Sequence, residues 1–307
     1  MAETVRSEAQ QLAAAVAADE ARRSGRWQFR FRLVWGSIVA LLVLFIAASL
    51  NVEIGFISTA APFILQGIGL TLLVSSVSIV LATILAAIGA LGRLSKSAVL
   101  NAIASFYVSF FRGTPLILQL LFWYLALPQV GIVLDPILCA IFALGMNYGA
   151  YMTEIFRAGI QAVPLGQREA AAALGMSSRT AFIRIIAPQA FRIIVPAIGN
   201  DFVAMLKDSA LASTVSLHEI LWRAQNIGAQ KFKTLQTFMI AAVVYWVLTI
   251  VFTAIQNRIE RRLAAGDRNK EVKGLAPPSA RGPLRQRTRS IPPRSREPWS
   301  RLAPSRS

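Results

Sequence analysis

The sequence predicts an all-α polytopic membrane protein, on three observations. Hydrophobic residues make up 55% of the chain and charged residues 15%, with a mean hydropathy of +0.54, whereas soluble domains carry about a quarter charged residues. Three stretches run without a charge: Leu33–Val52 over 20 residues, Ile54–Gly92 over 39 and Thr234–Asn257 over 24. About 20 apolar residues suffice to cross a bilayer as a helix. Lys and Arg also close alternate ends of the apolar runs, the pattern that orients helices in a membrane.

The elements follow in order. Arg22, Arg23, Arg26, Arg30 and Arg32 precede Leu33–Val52 and hold its start in the cytoplasm. The run is longer than a signal-peptide core and its leader is too long, so it reads as an uncleaved span. Ile54–Gly92 exceeds one span, and Pro62 predicts a helix from there to about Leu91, closed by Arg93 and Lys96. After a mixed stretch from Leu100 to Phe111, the sequence Arg112-Gly113-Thr114-Pro115 predicts a fresh span capped by Thr114, running to about Pro128. Asp135 and Pro136 open the next span, from Ile137 to about Ile155. At its end Glu154 and Arg157 stand three apart on one helical face, which reads first as a local ion pair at the membrane edge and second as a gate.

The fifth span, from Ile183 to about Leu206, is the least hydrophobic. It holds Arg184, Pro188, Arg192, Pro196, Asn200 and Asp201, with Lys207 and Asp208 just after. Polar, interrupted helix at membrane depth is tolerated only where it faces protein or a watery path, and ionisable residues there are functional candidates. Asn200, Asp201, Lys207 and Asp208 are therefore the candidate pathway residues; Lys207 beside Asp208 also reads as a solvated pair beyond the membrane. Leu211–Gln236 reads as a polar external loop, although Arg223, Lys231 and Lys233 run against the charge bias for that side. Thr234–Asn257 is the last span and Arg258, Arg261 and Arg262 return the chain inside. The count is six spans with both termini cytoplasmic.

The net charge of +17 suggests nucleic acid until its distribution is seen. Residues 257–307 carry 14 Lys and Arg against 4 Asp and Glu, in a Pro/Ser/Arg-rich tail with no aromatic-rich basic motif. The tail lacks the apolar residues for a core and reads as disordered; it reads first as a solvated tail with no binding role and second as a contact for anionic lipid head groups. Cys139 is the only cysteine, which leaves no intrachain disulfide and no thiolate cluster; in its apolar run it reads as packing. His218 is the only histidine and cannot build a multi-His site. The chain has no G-x-x-x-x-G-K-[ST] phosphate loop. The expectation is a protein that is not an enzyme, needs no cofactor or metal, and does not itself hydrolyse ATP.

Between the fourth and fifth spans lies a polar knuckle, residues 163–185. Gln167–Leu174 is Ala-rich, with Gly166 as its expected N-cap and Glu169 completing a capping-box pattern. Gly175 sits where a helix end needs a residue free to take positive φ, and Ser177 or Ser178 can cap the helix that runs on toward Pro188.

Glu169, Ala170, Ala171 and Gly175, with Ile185 and Pro188 further on, resemble the EAA loop of ABC importer permeases. Ala187 departs from the Leu usual before that proline. The stretches RGTP with LILQLLFWYLALP, NYGAYMTEIFRAGIQAVPLGQ and LKDSALAS resemble the polar amino acid branch of the same family. The resemblance covers roughly Pro62 to Leu263. It implies a five-helix ABC importer permease core, to which Leu33–Val52 adds one extra N-terminal transmembrane helix. The expected parts are a cytoplasmic segment 1–32, the extra helix and external loop 33–61, the permease domain 62–263 and a basic tail 264–307.

The resemblance further implies a permease subunit of an importer for polar amino acids in the bacterial plasma membrane. It would form half of an alternating-access path and pair with itself or a sister permease. Glu169, Ala170, Ala171 and Gly175 would dock on a separate ATP-binding subunit, and an extracytoplasmic amino-acid-binding protein would deliver substrate. The rival expectation is a self-sufficient secondary transporter or channel, which internal inverted repeats would favour.

Overall fold

The computed structural model describes residues 27–41, 44 and 53–275, with side chains described to residue 262. Most of the expected extra span Leu33–Val52 lies outside the described residues, as do the segment before residue 27 and the tail after residue 275; residues 27–41 are helical. No strand occurs among the described residues. Four helical segments are long and apolar enough to cross a membrane: Ile54–Leu94, Pro136–Gln161, Ser178–Val215 and Thr234–Arg262. A pair of helices bent by 104°, Ala98–Gly113 with Leu116–Val130, is apolar enough to make a fifth if the two act together as one span.

The first crossing is α1 (Ile54–Leu65) followed by α2 (Ile68–Leu94). The helix thus begins eight residues before the expected start. Pro62 is taken inside α1, and the interruption falls at Gln66 and Gly67 instead. A Cβ on Gly67 would meet the Ile220 amide nitrogen at 2.5 Å and the Glu219 carbonyl carbon at 2.6 Å. The break sits where another backbone comes this close, which only glycine permits.

Helix α2 packs along α5 (Pro136–Gln161), and this pair is the centre of the protein. Ala82, Ala86 and Ala90 recur every fourth residue on α2 and are fully buried, the small-residue stripe that brings two membrane helices close. Cys139 is buried and free, as packing. Asp135 caps α5 by accepting from the Ile137 amide at 2.8 Å, with Pro136 in the first turn. The α5 helix runs to Gln161, about six residues past the expected end.

Around the pair lie α3 (Ala98–Gly113), α4 (Leu116–Leu121) and α8 (Ala187–Asp208). The knuckle contains α6 (Leu165–Ala173) and the single turn α7 (Ser178–Ala181). Two widened π-helical turns occur, Phe122–Ala126 and Phe182–Ile186. Each precedes a proline, Pro128 and Pro188. A proline ring clashes with the carbonyl four residues back and offers no donor to it; at Pro188 the widened turn absorbs that clash and the helix continues as α8, whereas at Pro128 the chain tightens into a 3₁₀ turn, Leu127–Val130, and the helix ends.

Leu211–Gln236 is not a loop. The chain passes through a 3₁₀ segment, Ser209–Val215, into α9 (Ile220–Gln230). Glu219 caps α9 by accepting from the Trp222 amide at 2.8 Å, and Ile220, Ala224 and Gly228 bury one face at helical spacing. The polar residues that suggested a loop are the other face. Its cations have partners: Arg223 donates to Gln66 Oε1 at 3.0 Å and lies over the Phe63 ring, and Lys233 pairs with Glu53 and lies over Phe56. They clamp α9 and its exit to α1, a structural role for these basic residues.

The last helix, α10, is Thr234–Leu275. The chain divides into two compact units at Arg258 and Ile259, the first holding all the other elements described.

Candidate functional site

Two places gather the polar residues of the membrane domain. The first is an open cavity of about 1050 Å³. Its walls are the turn Arg112–Leu116, one face of α5 and one face of α8. On α5 the polar lining recurs every three or four residues, through Asn147, Tyr148, Tyr151 and Glu154; on α8 it is Asp201 and, seven residues on, Asp208.

The turn is a polar structure held by side chains. Thr114 does not cap α4; Pro115 is itself extended and takes the N-cap position. The Thr114 hydroxyl instead donates back to Phe110 O at 2.9 Å. Gln119 Nε2 donates to Phe111 O at 2.9 Å, Thr114 O at 3.1 Å and Thr114 Oγ1 at 2.8 Å, and Asn147 Nδ2 reaches the same Phe111 carbonyl at 2.9 Å. These amides satisfy carbonyls that the 104° bend strips of helical partners.

Asp208 Oδ2 accepts the Tyr148 hydroxyl at 2.7 Å. Asp201 Oδ2 is buried with no protein hydrogen bond. Arg112 presents its guanidinium over the Tyr151 ring at 5.1 Å. The cavity wall thus carries Asp201 and Asp208 on α8, Glu154 and Arg157 on α5, and Arg112 in the turn. Of the four candidates read from sequence, Asp201 and Asp208 line it. Asn200 turns to α10, where its Oδ1 accepts from Gln256 at 2.8 Å, and Lys207 is exposed outside the lining. Sequence reasoning missed Tyr148, Tyr151 and Arg112; the polar stripe along NYGAYMTE was the available signal.

Glu154, also in the cavity wall, does more than pair within its helix. Arg157 meets Glu154 Oε2 at 2.7 Å, and Arg93 at the end of α2 meets Oε1 at 3.1 Å. Arg93 also donates to Ser105 on α3. The Arg93 partnership spans 61 positions and had no signal in the sequence.

The second place is the knuckle. Helix α6 begins at Leu165 with Pro164 as N-cap, two residues before the expected start. The capping box of Gly166 and Glu169 does not form, and Glu169 lies beyond the first turn, exposed. A proline already fixed in φ opens a helix without a side-chain cap. The other end is as expected. Gly175 has φ +69°, Gly175 N donates to Ala172 O at 2.9 Å and Met176 N to Ala171 O at 3.0 Å. These bonds close a Schellman motif, and Ser177 then caps α7 by accepting from the Thr180 amide at 3.3 Å.

Ala171 is buried against the protein while Ala170 faces out. Leu165 and Leu174 bracket the exposed face at 70% and 79% exposure. Arg168 turns inward, and its Nη2 donates to Ile160 O on the last turn of α5 at 2.9 Å.

Residues 78–265 match the family of the binding-protein-dependent transport system inner membrane component. The chain is 38% identical over 219 residues to the arginine transport system permease protein ArtQ of Bacillus subtilis, covering 71% of this chain and 100% of that one. It is 40% identical over 203 residues to the L-cystine transport system permease protein TcyB of the same organism, covering 66% and 87%. Among solved structures, one described as an amino acid ABC transporter with histidines superposes with a TM-score of 0.66 at 34% identity, covering 69% of this chain and all of that one. The fold is therefore that of an ABC importer permease, and this chain belongs to the family of inner membrane components of binding-protein-dependent transport systems.

Proposed function

We propose that the chain is the transmembrane permease subunit of an ATP-driven importer for polar amino acids, lining half of the translocation path. The charge arrangement in the cavity carries this reading. A free amino acid presents an ammonium and a carboxylate a few ångströms apart. Asp201 and Asp208 on α8 suit the first, and Arg112 in the turn suits the second. The unpartnered Asp201 Oδ2 leaves an acceptor to be satisfied, and the relatives named for arginine and L-cystine transport support the class.

The knuckle is the coupling element. Leu165, Glu169, Ala170 and Leu174 form the outward face of α6, suited to a groove on a separate ATP-binding subunit, and Gly175 sets the turn behind it. An extracytoplasmic amino-acid-binding protein delivers substrate, and a second permease, identical or a sister chain, completes the path. The protein sits in the bacterial plasma membrane with both termini cytoplasmic. Membership of a binding-protein-dependent family supports this reading over a self-sufficient secondary transporter.

The test is uptake into proteoliposomes holding the permease and its ATPase, with a panel of labelled amino acids and purified binding protein outside. The expected result is uptake of a polar amino acid that needs both enclosed ATP and binding protein. Uptake driven by an ion gradient without ATP would overturn the proposal.

A further inference from the structure

Glu154 occupies a position that substrate binding alone does not explain. Its two oxygens are divided between two elements: Oε2 takes Arg157 of its own helix, through Nε at 2.8 Å and Nη2 at 2.7 Å, and Oε1 takes Arg93 of α2 at 3.1 Å. Each of the three side chains is between 20% and 31% exposed, so screening by water is partial and the pairs are stronger than free surface pairs. Arg157 reaches on to Gln161 Oε1 at 2.8 Å. One residue before Gln161, the Ile160 carbonyl accepts from Arg168 of α6.

The bonds form two links that meet through the backbone of Ile160 and Gln161. The connection starts on the helix proposed to dock on the ATPase, enters the last turn of α5 at Ile160, runs through Arg157 and Glu154 in the cavity wall and crosses to α2 at Arg93. The sites it joins are the cavity holding Asp201 and Asp208 and the exposed face of α6. A carboxylate that merely anchored Arg157 would not need a second cation from another helix. One that merely stapled α2 to α5 would not need to stand in the cavity wall.

We infer that Glu154 is a positioning residue for transport: by holding Arg157 and Arg93 at once it makes the inner ends of α2 and α5 move as one body with α6, so that displacement of the coupling helix is delivered to the cavity. The inference rests on the proposed function. Without the tie, displacement of α6 shifts the end of α5 against α2, the cavity wall moves without its supporting helix, and ATP is hydrolysed without substrate crossing.

The test measures ATP hydrolysed per amino acid taken up, in proteoliposomes of the full complex with binding protein, for wild type, Glu154→Gln, Arg93→Gln and Arg93→Lys. Glu154→Gln and Arg93→Gln are expected to raise the ratio, on the order of two- to thirty-fold for loss of a coupling contact. Arg93→Lys keeps the cation and is expected to stay near the wild-type ratio. A purely structural role would lower the amount of assembled complex and leave the ratio unchanged, and that result overturns the inference. An effect of Glu154→Gln without one of Arg93→Gln overturns the tie to α2. A wild-type complex that does not couple ATP to amino acid uptake overturns the proposed function and the inference with it, whereas a coupled wild type with unaltered variants overturns the inference alone.

Discussion

Tyr148 and Asp208 face each other across the wall between α5 and α8, with the phenol donating to the carboxylate at 2.7 Å. The contact orients Asp208 toward the cavity and leaves one of its oxygens for another donor. Hydrogen bonds to a charged group contribute about 1.5–3 kcal/mol. Tyr148→Phe is therefore expected to weaken half-saturation of uptake roughly tenfold or more, with complex assembly unchanged. Asp201→Ala and Asp208→Ala are expected to weaken uptake as well. Uptake kinetics for the three variants check this, and wild-type kinetics in both Asp variants would remove those carboxylates from the path.

Gly175→Val places a β-branched residue at φ +69°, at a strain of about 1–3 kcal/mol. No neighbour lies near the position of the added Cβ, so the cost is conformational and confined to the turn behind α6. The variant is expected to insert normally and to lose ATPase co-purification or ATP-driven uptake. Glu169→Arg is expected to do the same by changing the exposed face of α6, since Glu169 is not in the first turn where the helix dipole acts. Normal co-purification with normal uptake in both would refute the docking role.

Gly67→Ala drives a methyl into the backbone at Glu219 and Ile220. Backbone cannot rotate aside as a side chain does, so α1 and α9 must separate, at about 1–3 kcal/mol. Thermal unfolding of the detergent-solubilised protein should show a lower midpoint than wild type.

Burial pushes the Glu219 carboxyl above its ordinary range, against the opposing hydrogen bonds of Tyr245 and the first α9 amides. A raised folded value means that the native state holds the proton where the unfolded chain releases it. The contribution is full below the ordinary Glu value of about 4.3 and is lost as pH rises through the folded value. Glu219→Gln removes this dependence, so the slope of stability against pH just above 4.3 should flatten in the variant.

Topology is checked by cysteine labelling in a Cys139→Ala background. Labels at positions 20 and 265 should be reached only from inside and at Gln225 only from outside. External labelling of position 265 in intact cells would contradict the orientation.

What the sequence disclosed was local. Gly175, Ser177 and the Asp135–Pro136 start each act through neighbours within a few positions, and each sits as expected. Asp201 and Asp208 were legible as charges out of place in an apolar setting. Arg93 with Glu154 was not legible, because a pair so far apart is set by how two helices lie together. Helix α9 was misread because its buried face is narrow and its outward face, with Arg223, Asn226 and Gln230, is as polar as a loop. The start of α6 was displaced because a glycine was credited with a cap that Pro164 supplies by its fixed φ.

The bend between α3 and α4 has a consequence for hydration. A sharp turn normally lies where solvent can bond its bare carbonyls. Here Gln119 and Asn147 carry those bonds on their own side-chain amides. They serve the turn as solvent would, but are covalently attached to it. The corner therefore does not depend on water to satisfy these carbonyls, and it keeps its shape beside the open cavity on bonds of its own.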